Sequence, residues 1–203
     1  MLQWEKDLIG LPAARNTFEP HPISEGPTAL RPRGAPVRYK VTKKQQNSKS
    51  CLVCGLKNEF GLHTSFFELD NGELLAVFTP RQEHQSYPNR LHGGIASAIL
   101  DETIGRAIMI QHPQQFGVTV EISMRFKKPV PLNGKLRVLG RITGDSSRFF
   151  EGSGEILLAD GSVAVEAVGK FLKMPLEKIA DFDHEEQQWK VVRRTDDPES
   201  VDI

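Results

Sequence analysis

Cysteine, tryptophan and tyrosine are scarce in this chain of 203 residues, two of each. So few cysteines exclude the disulfide-stapled scaffold that small secreted domains use. No apolar run approaches the roughly 18 residues of a membrane-spanning helix, and the N-terminal residues lack a signal peptide's apolar core. Excess charge is missing too: 26 Lys plus Arg balance 26 Asp plus Glu, so bulk charge does not point to a nucleic-acid partner. A soluble cytoplasmic protein is expected.

The length suits one domain with extensions. The extensions differ in sign: residues 1–50 carry nine basic and four acidic residues, and residues 175–203 four basic and nine acidic. Six of the thirteen prolines fall in 1–50, so that stretch reads as an extended, irregular arm after a short helix near Trp4 to Ile9, with Trp4 and Phe18 as anchors. The acidic tail from Asp181 to Gln188 reads as helical or disordered, with Trp189, Val191 and Val192 as docking points. The domain proper occupies 51–174, and no internal repeat is present.

Within that domain, LHGGIASAILDETIGRAIM, Leu91 to Met109, reads as a glycine turn feeding a largely buried helix. At about 100° per residue, Ile99, Leu100, Ile104, Ala107 and Ile108 share one broad apolar arc. Asp101 falls at its edge beside Gly94, Ser97, Ala98 and Gly105, small residues that let a backbone or a thin ligand approach. Glu102 lies one turn before Arg106, and an exposed i,i+4 ion pair accounts for it. Asp101 has no such local partner. A carboxylate at an apolar edge is a candidate general base or nucleophile, because partial desolvation alters its proton affinity; loop amides or a distant arginine are the structural alternative. Ahead of the helix, the Gly93 and Gly94 amides stand at the positive end of the helix dipole, where a developing oxyanion can be held. A plain tight turn is the alternative, and His92 is read as the residue that positions it.

The rest of the domain reads as strands. Leu62 to Leu69 and Glu73 to Thr79 flank Asp-Asn-Gly, a hairpin turn. A loop from Pro80 to Leu91 follows. Val118, Val120, Ile122, Met124 and Phe126 alternate with polar residues as in a half-buried strand. Lys135 to Ile142, Phe149 to Leu158 and Val163 to Met174 complete the set, with turns at Gly144 to Ser146 and Asp160 to Gly161. This order predicts an α+β fold with an antiparallel sheet wrapped around one long helix. Cys51 and Cys54 form a single C-x-x-C with only His63 as a nearby addition, short of the four ligands zinc needs unless two subunits each supply a pair. No metal is expected, and the segment is read as a structural lead-in with Gly55 and Gly61 as turns.

Three motifs occur in order: CLVCGLKNEFGL, HQSYPNRLHGG, and HGG followed after six residues by Asp101. They resemble the CxxCGxxNxxGL opening, the HQGYPGxxHGG loop and the central helix of hotdog-fold acyl-CoA thioesterases of the phenylacetic-acid-degradation (PaaI-like) type, over roughly residues 51–174. The resemblance implies a hotdog fold, a homodimer or dimer of dimers with active sites between subunits, and hydrolysis of an acyl-CoA to a carboxylic acid and coenzyme A without metal or redox cofactor. It implies Asp101 as base or nucleophile, the Gly93 and Gly94 amides as oxyanion hole, and His92 shaping the turn. Some relatives place asparagine where this chain has Ser86, which passes the amide role to Gln85 or His84; Ser86 and Asn89 replace the two loop glycines. Coenzyme A phosphates need cations, and Arg125, Lys127, Lys128 and Arg148 are the candidates. Phe66, Phe67, Tyr87, Ile108 and Met109 are candidates for the acyl pocket. The competing reading is a non-catalytic acyl-CoA or fatty-ligand binder acting as an interaction module; the motif of a hotdog hydratase is not found.

Overall fold

The computed structural model describes residues 36–180, 183 and 185–203. Trp4 to Ile9 and Phe18 of the arm, and Asp181, Phe182 and His184 of the tail, lie outside the described residues. Helix α1 (Gly93–Gln111) forms over the predicted arc. His92 caps its start and Pro113, two residues past its end, cannot continue it. Ile99, Leu100, Ile104 and Ile108 are fully buried, each contributing about 1.5–3 kcal/mol by area.

The strands are β1 (Arg38–Lys44), β2 (Ser65–Leu69), β3 (Leu74–Phe78), β4 (Phe116–Phe126), β5 (Leu136–Asp145), β6 (Phe149–Leu157), β7 (Val163–Met174) and β8 (Ser200–Asp202); a single turn of helix, α2 (Leu176–Ile179), follows β7. Among the described residues they form one eight-stranded sheet in the order β4-β7-β6-β5-β3-β2-β1-β8. Every pairing is antiparallel. No helix among the described residues is long and apolar enough to cross a membrane.

The sheet extends past the 51–174 stretch. β1 lies in the segment read as an irregular arm and β8 in the tail, paired through Arg38↔Asp202 and Tyr39↔Val201. Tyr39 and Val41 alternate with Arg38, Lys40 and Thr42, a strand signal hidden by the surrounding prolines and basic residues. Their apolar side chains join Val201 and Ile203 over Phe67, Leu75 and Leu139 on the outer face of the sheet. The inner face, with Phe66, Leu74, Ala76 and Val138, packs on α1. Phe66 and Phe67 therefore point to opposite faces and cannot line one acyl pocket.

Two expectations about the strands need correction. Leu62 to Thr64 stays outside β2, and Gly144, expected in a turn, lies in β5 at a bulge. A second bulge sits in β4: Thr119 pairs with Phe171 and Glu121 with Lys170, so Val120 is the extra residue. The alternation read across 118–126 thus changes parity midway, leaving Val120 40% exposed and turning Thr119 toward α1.

Helix and sheet meet at glycines. A Cβ on Gly117 would lie 2.7 Å from the Phe150 ring and 3.0 Å from the Gly105 carbonyl oxygen, and one on Gly152 would lie 2.5 Å from Ile104 Cγ2. Gly117→Ala is therefore expected to lower stability by about 1–3 kcal/mol, read by urea denaturation. An alanine variant as stable as the parent would show that this contact yields without cost.

Candidate functional site

Asp101 sits on the side of α1 that faces β4, one turn before Gly105. The bulge delivers the Thr119 hydroxyl, which donates to Asp101 Oδ1 at 2.6 Å. Burial pushes the Asp101 carboxyl above its ordinary value; the Thr119 bond acts against that, and the neighbouring Glu102 charge adds to it. Sequence reading missed Thr119 because strict alternation assigns it to the polar face.

At the start of α1, His92 Nδ1 accepts from the Gly94 amide at 2.9 Å, and the His92 carbonyl accepts from Ile95 and Ala96. His92 is the positioning residue expected. The Gly94 amide is thereby taken, a correction to the expected pair of free amides. The Gly93 amide has no acceptor among the described residues, and the Phe126 ring lies beside it. Eight residues of helix separate Gly93 from Asp101, about 12 Å along its axis.

The loop before α1 is held from within. His84 is buried, its Nδ1 accepting from the Arg81 amide at 3.0 Å and its Nε2 facing the Phe60 carbonyl at 2.9 Å. With both ring nitrogens engaged, His84 supports the loop and has none left for a substrate. Gln85 Oε1 accepts from the Asn89 amide at 2.8 Å, which also gives Gln85 a loop-holding part. Asn89 adopts φ 60°, a left-handed conformation that glycine takes freely and asparagine tolerates. The second substituted glycine of the loop motif thus keeps its backbone geometry, and Ser86 needs no positive φ. Tyr87 is 77% exposed on this loop, whereas Ile108 and Met109 are buried in the core.

The four expected phosphate-binding cations fall into two groups. Arg125 and Lys127 both pair with Glu166, and Lys128 follows them. These three stand at the end of β4 that reaches Gly93. Arg148 lies at the other end, its carbonyl accepting from Lys173 opposite Gly117, roughly 25 Å along the strand.

The Glu102–Arg106 pair forms at 2.8 Å but is not exposed: the Arg106 side chain retains 6% exposure. Its guanidinium also donates to the Gln46 carbonyl and to Cys54 Sγ at 3.1 Å, and lies over the rings of Phe66 and Trp189. Cys51, Cys54 and Glu102 bring their ligand atoms within 4.8 Å of one another. They are the donor set here that could contact a metal, but Arg106 already supplies a positive charge to two of them. His63, the addition considered from sequence, instead directs its Nε2 to the Asn58 carbonyl. A hydrogen bond with Cys51, opposed by burial and aided by the Arg106 charge, lowers the Cys54 thiol to about 7.

Residues 89–165 match the thioesterase superfamily. This stretch of the chain is therefore similar to that superfamily. Its fold is the hotdog. The crystal structure of a thioesterase superfamily protein is similar at 28% identity and a TM-score of 0.55, covering 60% of this chain and 59% of that one. The PaaI protein of the E. coli phenylacetic acid degradation operon shares the fold at 16% identity and a TM-score of 0.51, covering 56% of this chain and 80% of its own. An uncharacterized protein of Schizosaccharomyces pombe is 27% identical over 97 residues, 48% of this chain and 55% of that protein. The chain thus spans about half the length of this curated relative.

A carboxyl raised in the folded state costs stability when ionised. That cost is absent below the unfolded value of about 3.9 and complete above the raised folded value. Asp101→Asn removes the ionisation, so the variant should melt at or above the parent temperature at pH 7, with the advantage gone by about pH 3.5. A variant that melts well below the parent at pH 7 would mean that the carboxylate is a net stabiliser.

Proposed function

We propose that the chain is an acyl-CoA thioesterase that works as a dimer. The observation that carries the reading is the pairing of a partly desolvated carboxylate, Asp101, with an unoccupied helix-start amide, Gly93, in a stretch similar to the thioesterase superfamily. Asp101 takes a proton from water as the oxygen attacks the thioester carbonyl, the Gly93 amide holds the oxyanion, and collapse leaves the carboxylic acid and expels coenzyme A thiolate, which takes up the proton from Asp101. If Asp101 attacks directly instead, collapse expels the thiolate and leaves a mixed anhydride, which water hydrolyses to the acid and free Asp101.

One chain cannot complete this site, since about 12 Å of helix separates its two parts. The free edge of β4 supplies a route to the missing half. It is eleven residues long, with Val120 and Phe126 exposed, and an edge of that length invites pairing. Antiparallel pairing of two β4 edges about a two-fold axis reverses one helix against the other, so that Asp101 approaches the partner subunit's Gly93. The same axis draws Arg148 toward the partner subunit's Arg125, Lys127 and Lys128, uniting the two groups of cations for the coenzyme A phosphates.

Thiol release from short, long and phenylacetyl CoA esters tests the chemistry. Turnover of at least one ester is expected, with a loss of about 100-fold or more in Asp101→Asn. The acid limb of the rate profile should lie above the ordinary carboxylate value, and Thr119→Val should move it higher by removing the bond that favours the ionised form. Tight binding without turnover would make the protein a ligand-binding module instead. Shared sites are tested by mixing two inactive variants, Asp101→Asn and Gly93→Pro, the latter removing an amide at a position where proline suits a helix. Random exchange of subunits should restore about a quarter of parental activity, while sites contained within one chain would restore none.

A further inference from the structure

On the face of the sheet that α1 does not touch, under the C-terminal segment, lies a cavity of about 360 Å³. This is the small end of the range for small-molecule sites. Its floor is apolar, formed by Phe67, Leu75 and Val77 with Val201. Its wall is basic, and its three guanidinium groups make their side-chain hydrogen bonds to backbone carbonyls. Arg137 Nη1 donates to the Asp202 carbonyl at 2.6 Å, Arg194 Nη2 to the His63 carbonyl at 3.4 Å, and Arg81 Nη2 to the Glu59 and Gly61 carbonyls. These acceptors are uncharged. Among the described residues the nearby acids make their closest contacts with lysines or Arg38: Asp202 takes two bonds from Arg38, Asp197 binds Lys44 at 2.6 Å, and Asp196 binds Lys135 of the same wall. Asp202 acts on Arg137, and Asp197 on Arg194, only without a hydrogen bond between the side chains. Arg81 has only a 3.9 Å approach to the exposed Glu83 carboxylate. Ser65, also on the cavity wall, has a buried hydroxyl without a hydrogen-bond partner.

We propose that this cavity is a second ligand site, taking a carboxylate on an apolar chain of medium length. A bare inorganic anion would leave the apolar floor unfilled. A neutral lipid would leave the guanidinium groups without a charge-assisted hydrogen bond. The wall aspartates, Asp196 and Asp197, disfavour a dianionic phosphate head, and the volume is too small for a whole acyl-CoA. The site is separated from Asp101 by the sheet itself, and the assignment does not depend on hydrolysis there.

The test is calorimetric titration of the intact protein with octanoate, and with acetate and octan-1-ol as ligands lacking body or head. Saturable octanoate binding is expected, with acetate and octan-1-ol at least tenfold weaker. Arg137→Gln and Arg194→Gln should each weaken octanoate about tenfold or more, in line with loss of a charge-assisted hydrogen bond. Val77→Trp, folded by circular dichroism, should abolish binding by filling the floor, and Asp101→Asn should leave it unchanged. The proposal is overturned if octanoate does not saturate, if octan-1-ol binds equally well, or if binding responds to Asp101→Asn and ignores both arginine substitutions. The two Gln variants keep the test decisive should Val77→Trp fail to fold.

Discussion

The backbone contact between Gly105 on α1 and Gly117 on β4 sets the position of everything in the candidate active site. A helix resting on ordinary side chains would stand farther from the sheet, and the 2.6 Å bond from Thr119 to Asp101 could not span the gap. Gly105 follows Asp101 by one turn, and Gly117 precedes Thr119 by two residues on the same face of β4. The close approach and the hydrogen bond are therefore one arrangement. Removing side chains at the contact lets a short hydroxyl reach a short carboxylate, and the bulge after Thr119 then returns β4 to the register its edge needs.

Arg106 is the second fixed point. It is buried and charged, which is costly unless its donors are satisfied, and its partners come from separate parts of the chain: Glu102 on its own helix, the Gln46 carbonyl after β1, and Cys54 in the turn before β2. The rings of Phe66 and Trp189 sandwich its charge. A single side chain thus ties the C-x-x-C lead-in, the start of the sheet and the tail to the helix that carries Asp101. The lead-in thus has a structural part, with the Arg106 cation built into its cluster.

The fold was legible because its strongest signals are local. The apolar arc of α1, the Asp-Asn-Gly hairpin and the strand Val163–Met174 each follow from spacing alone, and together they restrict the topology to a sheet around one helix. The placing of Asp101 on the edge of the helix and of His92 at its start was legible for the same reason. What escaped depends on contacts distant in sequence. The exposed reading of Arg106 followed from its i,i+4 partner, while its burial is set by Phe66 and Trp189. The roles of His84 and Gln85 turn on Phe60, Arg81 and Asn89, which no periodicity connects to them. Thr119 was hidden by one inserted residue, because a bulge inverts every inward-outward assignment on one side of it.

The electrostatics of Asp101 favour a site that closes on assembly. In the single chain, burial already raises the carboxyl while Thr119 holds it down. Covering the β4 edge with a second subunit would remove more water from Asp101 and raise it further, since desolvation always disfavours the charged form. The Thr119 hydroxyl would gain importance in the same step, because a hydrogen bond to an anion strengthens as the local dielectric falls. The Asp101 carboxylate would then be a stronger proton acceptor than an exposed aspartate. A carboxylate fully buried in one chain would risk protonation, and one left open to water would stay weakly basic. With Asp101 beside a free strand edge, one fixed donor and one open side, the proposed subunit pairing would set the degree of burial.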